Sequence, residues 1–233
     1  MEKKVILFIV EGMSDENALS ELFETLFDKN QLYFEIIRGD ITSDYKTTLS
    51  NIYYRVGSVI TKAIRHLNNY GIRKKDILSV VFLTDTDGAF IPDSNIVYDA
   101  SIDAEYTEQF INTNDVDKYI DRNNRKSILL EKICKQMKMS NLNFRAIYLS
   151  RNLEHALHGQ VEDKTNYEKK YLSNEFVSHY LYNIDGFIAV INELSPPVCS
   201  FDSSWDFIME GSNSLKRFSN IKYILPEEYS VHS

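Results

Sequence analysis

The chain has 233 residues, of which 43% are hydrophobic and 26% charged, a balance typical of a folded globular protein. Its net charge of −8 argues against a protein that coats nucleic acid by electrostatics alone. Two cysteines, Cys134 and Cys199, exclude a disulfide framework, and neither a bilayer-spanning apolar stretch nor a cleavage signal is apparent, so we expect a cytoplasmic protein without membrane association.

The first third of the chain alternates between strand and helix patterns. The β-branched and aromatic run 5–10 predicts a central strand of a parallel sheet, and a helix follows from Ser14 to about Leu26. A second strand at 33–37, a helix over 49–69 and a third strand at 78–84 continue the alternation. This order predicts an α/β fold with a mostly parallel sheet flanked by helices.

The pattern weakens beyond the third strand. We interpret residues 89–124 as an insertion or long active-site loop, because Pro92 and many Asp, Asn and Thr residues interrupt it. A helix at 127–139, a strand at 144–149 and a helix start at 153–158 follow. Residues 1–158 are thus predicted as an α/β core, and 159–233 as a mainly helical C-terminal extension packed on it, with a helix from about 174 to 193.

Acidic residues stand at the predicted carboxyl ends of two strands. Glu11 follows the first strand, Asp85 and Asp87 follow the third, and Asp15 lies one helical turn beyond Glu11. A single such residue is more often a turn former or a helix cap. Together at one edge of a parallel sheet, their hard oxygen ligands predict a site for Mg²⁺ or Mn²⁺.

The motif Glu11-Gly12-x-x-Asp15, followed about seventy residues later by Asp85-x-Asp87-Gly88, resembles the Toprim domain of topoisomerases, primases and OLD-type nucleases. The resemblance covers roughly residues 1–150 and implies a Toprim-like, Rossmann-like fold. It assigns general acid/base work or metal binding to Glu11, and Mg²⁺ binding to Asp85 and Asp87.

The segment from Leu149 to His158 resembles a stretch of RloB-like Toprim proteins of bacterial defence loci. On chemical grounds, Glu154 is a further candidate metal ligand. His155 and His158 stand three residues apart on one helix face, but without an evident third ligand we favour buried or capping histidines over a zinc pair.

Three basic residues are candidates for gripping phosphate oxygens, namely Arg38, Lys126 and Arg151. Each is individually more typical of a surface or salt-bridging residue. We assign most of the 15 tyrosines and 13 phenylalanines to packing rather than to a base-stacking platform.

The favoured function is a metal-dependent phosphodiester hydrolase, a nuclease whose catalytic candidates are Glu11, Asp15, Asp85 and Asp87, with Glu11 or Asp15 orienting the attacking water. Nucleic acid is the expected substrate, and the protein is a candidate member of a bacterial defence system with a separate ATPase chain as possible partner. Two alternatives stay open. One is a catalytically weak Toprim-like module that binds nucleic acid or a nucleotide. The other is a Mg²⁺-dependent phosphatase or phosphotransfer domain. Neither the choice between DNA and RNA nor the oligomeric state follows from the sequence.

Overall fold

The computed structural model describes residues 4–27, 32–37, 39–159 and 165–229. Within them the chain is an α/β protein with seven α-helices and two sheets, so the predicted α/β class is confirmed. Among the described helices, none combines the length and the apolar character that crossing a bilayer requires. Arg38 lies outside the described residues.

The described part of the chain contains eight strands and seven α-helices. The strands are β1 (Val5–Val10), β2 (Leu32–Ile36), β3 (Ile77–Asp85), β4 (Ile96–Tyr98), β5 (Ala104–Tyr106), β6 (Ile111–Thr113), β7 (Lys138–Met139) and β8 (Leu142–Leu149). The helices are α1 (Met13–Leu26), α2 (Ile52–Asn68), α3 (Val116–Cys134), α4 (Leu153–His158), α5 (Asn166–Tyr180), α6 (Ile184–Glu193) and α7 (Phe201–Ile208).

The chain divides into two compact units, each discontinuous in sequence. Unit 1 comprises Met1–Thr84, Leu129–Ile147 and Ser173–Ile184, and unit 2 comprises Asp85–Ile128, Tyr148–Leu172 and Asp185–Ser233. Each unit takes segments from both sides of the predicted boundary near residue 158, and that boundary stays a prediction.

The larger sheet has the order β2-β1-β3-β8-β7, with β1 central to two parallel neighbours, β2 and β3. Strand β1 is buried on both faces: Phe8 and Ile9, which point to opposite faces, are 1% and 0% exposed, as its continuous apolar run predicts. Phe8 stacks on Phe34 of β2, with ring centroids 4.9 Å apart, and packs against Phe23 of α1 at 5.3 Å. These contacts fix the first strand, turn and helix of unit 1.

Unit 2 contains the smaller sheet, of order β4-β6-β5. Its apolar cluster consists of Ile91, Ile96, Ile111 and Leu215. A second packed pair is Tyr148 and Trp205, whose ring centroids lie 4.9 Å apart at a steep angle. The Tyr148 hydroxyl donates to the Ser204 carbonyl (3.1 Å), so the buried phenol is satisfied.

Several predicted elements need correction. The helix predicted at 127–139 begins eleven residues earlier, as α3, and ends at Cys134. The segment 89–124, interpreted as an insertion or loop, holds β4, β5, β6 and the first turns of α3. The single helix predicted over 174–193 is wrong: residues between Tyr180 and Ile184 separate α5 from α6.

Candidate functional site

Glu11 lies directly after β1, at the carboxyl end of a strand that pairs in parallel with β3. The Thr84 hydroxyl, near the end of β3, donates to Glu11 Oε1 (3.0 Å). The Gly39 N–H, just beyond β2, donates to the Glu11 carbonyl (3.2 Å). Glu11 is thus fixed at the sheet edge where open α/β sheets bind their ligands.

Asp15 has a defined structural role within unit 1. Its Oδ2 accepts the backbone N–H of Gly12 (2.8 Å), and the residue is buried in the first turn of α1. A carboxylate here satisfies a helix-terminal donor and interacts favourably with the helix dipole. Capping therefore accounts for Asp15, and its catalytic assignment stays a prediction.

Strand β3 ends at Asp85, and a tight turn follows in unit 2. Asp87 and Gly88 both have left-handed backbones, with φ of 49° and 70°. The N–H of Thr86 donates to the Leu149 carbonyl, and the N–H of Asp87 donates to the Arg151 carbonyl, both at 2.9 Å. The turn is therefore held in a conformation that few residues adopt unaided.

Helix α3 holds the same turn through three polar side chains. Lys126 Nζ lies 2.5 Å from Asp87 Oδ2, the Arg122 guanidinium donates to the Asp87 carbonyl (2.8 Å), and the Asn123 amide donates to the Gly88 carbonyl (3.1 Å). The Lys126 side chain is completely buried, whereas that of Asp87 is 29% exposed. A buried ammonium thus balances the charge of one predicted metal ligand.

Tyr106, which is partly buried, joins two arginines of unit 2. Arg122 donates to the Tyr106 hydroxyl (2.8 Å), while Arg151 donates to the Tyr106 carbonyl (3.3 Å) and lies 4.5 Å from the ring centroid. Burial is the main cause that raises the pKa of Tyr106, to about 12, and the Asp87 charge acts in the same direction. Tyr106 is therefore a neutral hydrogen-bonding group at physiological pH.

The predicted phosphate-binding residues Lys126 and Arg151 are both buried, Arg151 at 4% exposure with a left-handed φ of 60°. The Arg151 N–H donates to the Thr86 hydroxyl (2.8 Å). The Lys126 side chain and the Arg151 backbone support the turn at Asp87. Both side chains are buried, so they differ from the exposed cations typical of a nucleic-acid-binding surface.

Glu154 lies in the first turn of α4, with its side chain 5% exposed, and Lys169 Nζ is 3.3 Å from its Oε2. Its Oε1 is buried without a hydrogen-bond partner among the described residues. A buried carboxylate of this kind could accept a further donor or a cation. Its predicted metal-binding role stays a prediction.

His155 is buried in α4, and its N–H donates to Asn152 Oδ1 (2.9 Å), which caps the helix. Burial, with a smaller contribution from the nearby Arg151 and Arg217 charges, lowers the His155 pKa to about 4. His155 is therefore neutral at pH 7, and its burial agrees with the interpretation as a buried histidine.

Within the part of the chain that the structure describes, no three His, Cys, Asp or Glu side chains are arranged so that they could hold a metal ion. The donor chemistry of Glu11, Asp85 and Asp87 suits Mg²⁺ or Mn²⁺. Asp87, however, is engaged by Lys126, and Glu11 by Thr84. The metal site stays a prediction.

No protein-family model, curated protein or solved structure matches the chain. The Toprim resemblance accordingly rests on the short motifs around Glu11 and Asp85, and the fold class is α/β.

Sequence reasoning missed Thr86, Tyr106, Arg122 and Asn123 as residues that shape the turn. A usable signal was present: Arg122, Asn123 and Lys126 have the spacing of neighbours on one helical face. The interpretation of residues up to 124 as a loop hides this helical spacing. Nothing local in the sequence pairs Lys126 with Asp87, which lies 39 positions earlier.

Proposed function

We propose that the chain is a divalent-cation-dependent phosphodiester hydrolase, a nuclease whose acidic residues follow β1 and β3. The observation that carries this proposal is the parallel pairing of β1 with β3, strands whose carboxyl ends carry Glu11 and Asp85. Carboxylates at strand ends of this type are a common way to hold Mg²⁺.

The held turn at Asp87 supports the proposal. Its left-handed backbone accepts hydrogen bonds from the Arg122 and Asn123 side chains and donates one, from the Asp87 N–H, to the Arg151 carbonyl. Strained turns of this kind cluster at functional sites. A turn that is already rigid loses little entropy on binding a ligand, which favours preorganised chemistry.

In this mechanism Glu11 accepts the proton of the attacking water at its carboxylate, and the Thr84 hydroxyl orients that carboxylate through Oε1. Lys126 holds the Asp87 carboxylate through its ion pair. A bound divalent cation would supply electrostatic stabilisation of the charge that develops on the phosphate oxygens.

A second candidate function is a module that binds nucleic acid or a nucleotide with little or no turnover. The Lys126–Asp87 pair favours it, because the lysine already neutralises a carboxylate that a metal-dependent enzyme would use as a ligand. A phosphatase or phosphotransfer domain is the third outcome that the same experiment distinguishes.

The test incubates the purified protein with Mn²⁺ or Mg²⁺ and labelled single- and double-stranded DNA, RNA or a generic phosphomonoester. Cleavage of a polymer that is lost in Asp85→Ala and retained in the exposed control Asp93→Asn supports the nuclease. Turnover of the phosphomonoester alone identifies a phosphatase. Binding without turnover identifies the module.

Glu11→Gln is the sharper variant. We expect polymer cleavage to fall by about 10²- to 10⁴-fold, because the amide cannot take a proton while its oxygen can still accept the Thr84 hydrogen bond. Initial cleavage rates and circular dichroism are compared with those of the exposed control Glu21→Gln. Full activity in Glu11→Gln would remove this residue from the mechanism.

A further inference from the structure

The turn after β3 presents oxygen atoms of the kind that a hard divalent cation binds, and helix α3 contacts three of them. Lys126 Nζ lies 2.5 Å from Asp87 Oδ2. On the backbone, the Arg122 guanidinium donates to the Asp87 carbonyl (2.8 Å), and the Asn123 amide donates to the carbonyl of Gly88 (3.1 Å). Carboxylate and carbonyl oxygens are the ligands that Mg²⁺ and Mn²⁺ prefer. Side chains of α3 therefore contact oxygens that a cation on this turn would use.

The Lys126 amine lies close to the place of a metal ion bound at Asp87 Oδ2. A Mg²⁺ ion lies about 2.0–2.1 Å from a carboxylate oxygen, and the Lys126 nitrogen is 2.5 Å from this one. A lysine ammonium is a compact charge with three donors, so it can make the contact of a small cation. The amine and a metal ion bound on the same side of Oδ2 exclude each other.

Burial keeps the lysine in this position. The Lys126 side chain has no exposed surface, and Asn123, one turn earlier on α3, is 1% exposed. A lysine at the protein surface can turn into solvent when a metal ion arrives, because its ion pair contributes little. Lys126 would have to leave a close-packed interior to do the same. The pair is therefore a permanent part of the turn.

Hydrogen bonds from outside α3 fix the turn as well. The Asp87 N–H donates to the Arg151 carbonyl (2.9 Å), and the Arg151 N–H donates to the Thr86 hydroxyl (2.8 Å). Asp87 has a left-handed backbone, with φ of 49°. Such a backbone persists only where its surroundings hold it. The protein's own groups thus hold the Asp87 carboxylate beside Lys126.

We propose that Lys126 is a built-in cation for Asp87, so that this aspartate positions the turn after β3 and does not bind the divalent ion. The inference rests on the proposed function, whose divalent cation it assigns to ligands other than Asp87. It changes the role that the motif Asp85-x-Asp87-Gly88 gives to its second aspartate. Removing the lysine while leaving its space empty turns Asp87 into a ligand for a divalent cation.

The first test creates that space. Lys126→Ala removes the amine and leaves a cavity beside the Asp87 carboxylate, whereas Lys126→Met removes the amine but keeps most of the volume. Electron paramagnetic resonance counts the Mn²⁺ ions bound by each variant in a titration. We expect Lys126→Ala to bind one Mn²⁺ more than the parent chain, and Lys126→Met to bind the same number as the parent. If Lys126→Ala is unfolded alone, Mn²⁺ restores its circular dichroism.

Two controls show that the additional ion lies at Asp87. Lys126→Ala/Asp87→Asn loses it, because an amide oxygen without charge is a weaker ligand than a carboxylate. Ethylammonium, which supplies the missing amine, competes with the additional Mn²⁺ in Lys126→Ala. Tetramethylammonium, which has the same charge but no N–H donor, does not compete.

The second test leaves the lysine in place. We expect Asp87→Asn to keep the Mn²⁺ dissociation constant of the parent chain within about twofold, because the carboxylate of Asp87 is not a ligand there. The exposed control Asp93→Asn keeps it as well. Circular dichroism at the temperature of the titration shows that both variants are folded.

The proposal is overturned if Lys126→Ala gains no Mn²⁺ site, or if Asp87→Asn weakens Mn²⁺ binding by the parent chain by about tenfold or more. These results are separate from those of the cleavage assay. A gained Mn²⁺ site in a protein that cleaves no polymer leaves the role of Lys126 standing and removes the hydrolase. Cleavage without a gained site removes the role of Lys126 alone.

Discussion

Asp87 and Lys126 form an ion pair whose two ends differ in burial: the lysine side chain is fully buried, and the aspartate is 29% exposed. Removing one charge takes a charged partner from the other, and the loss matters more when less water can reach the residue that remains. The cost of each single substitution should therefore follow the burial of the residue that remains.

We expect Asp87→Asn to lower the free energy of unfolding by about 3 kcal/mol, because it removes the carboxylate that lies 2.5 Å from the fully buried ammonium of Lys126. Lys126→Met should cost about 1 kcal/mol, since water can reach the remaining carboxylate. Asparagine tolerates the left-handed backbone of position 87, so backbone strain does not confuse the comparison. Urea denaturation measures the free energy of unfolding of both variants.

The double variant Asp87→Asn/Lys126→Met should cost less than the sum of the two single variants, which is the signature of a direct interaction. The surface pair Arg125 and Asp121, 3.4 Å apart with Asp121 71% exposed, supplies the control. Asp121→Asn should change stability by less than about 0.5 kcal/mol. Strict additivity at 87 and 126 would mean that the pair is not coupled.

His155 should make the stability depend on pH. Its pKa is lowered from 6.5 to about 4 in the folded protein, mainly by burial. As the pH falls, the unfolded chain therefore binds a proton at a higher pH than the folded protein does. Stability is then full above about pH 6.5 and is lost as the pH falls toward 4, by up to about 3 kcal/mol.

Urea midpoints between pH 7.5 and 4 for the parent chain and His155→Gln measure this effect. The variant should be less stable at pH 7.5 but should lose less stability on acidification. His179→Gln, at an exposed position, should keep the pH dependence of the parent. An identical pH slope in His155→Gln and the parent would show that other groups cause the acid loss.

Among the elements, the turn after β3 packs against the apolar cluster of unit 2 through Gly88. A Cβ built there would lie 2.6 Å from Leu215 Cδ2 and 3.3 Å from Ile111 Cδ1. Both neighbours are buried in the cluster, so they cannot move aside cheaply. The close packing of the turn against the cluster therefore requires a residue without a Cβ at position 88.

Gly88→Ala should destabilise the protein by about 3 kcal/mol, through the left-handed backbone and the overpacking together. Gly211→Ala is the matched control, because Gly211 also has a positive φ (54°) but no atom within 4 Å of the added Cβ. It should cost about 1 kcal/mol. Equal losses of thermal stability in the two variants would show that the cluster relaxes around the new methyl group.

Long elements with a regular apolar period were predictable from the sequence. Strand β1 has the predicted bounds, and α2 falls within the predicted range, because Ile52, Val56 and Ile60 repeat at helical spacing along its buried face. Strands β4 to β6 have three residues each, which is too short for any period to show. The start of α3 was missed because its first turns are mostly polar.

The candidate site was predictable only in part. Strand-end carboxylates such as Glu11 and Asp85 can be read from the order of elements, since parallel strands end at one edge. The partners of those carboxylates cannot: Lys126 reaches Asp87, and Lys169 reaches Glu154, through tertiary packing that no local pattern specifies. Asp15 has a structural role instead, because its carboxylate accepts the Gly12 N–H at the N-terminus of its own helix.

At the scale of the whole molecule, the net charge of −8 shapes how the proposed substrate would bind. With Lys126 and Arg151 buried, few cations remain among the predicted phosphate contacts, so few counterions are released on binding. Affinity for nucleic acid should then depend more on divalent cations than on monovalent salt.

We expect log K against log[KCl] to have a slope smaller in magnitude than about 3, and EDTA to weaken binding strongly. Fluorescence anisotropy with a labelled oligonucleotide measures both, and Asp85→Ala should reproduce the effect of EDTA. A steep salt dependence that persists in EDTA would instead indicate a basic binding surface and would contradict the cation-dependent proposal.

The chain has a single tryptophan, Trp205, and it packs edge-on against Tyr148 inside unit 2. The fluorescence of the indole ring therefore reports on unit 2 by itself, while far-ultraviolet circular dichroism averages over every helix and strand. When both signals are followed through one denaturant titration, coincident curves reveal a single cooperative transition, and separated curves reveal that each unit melts on its own.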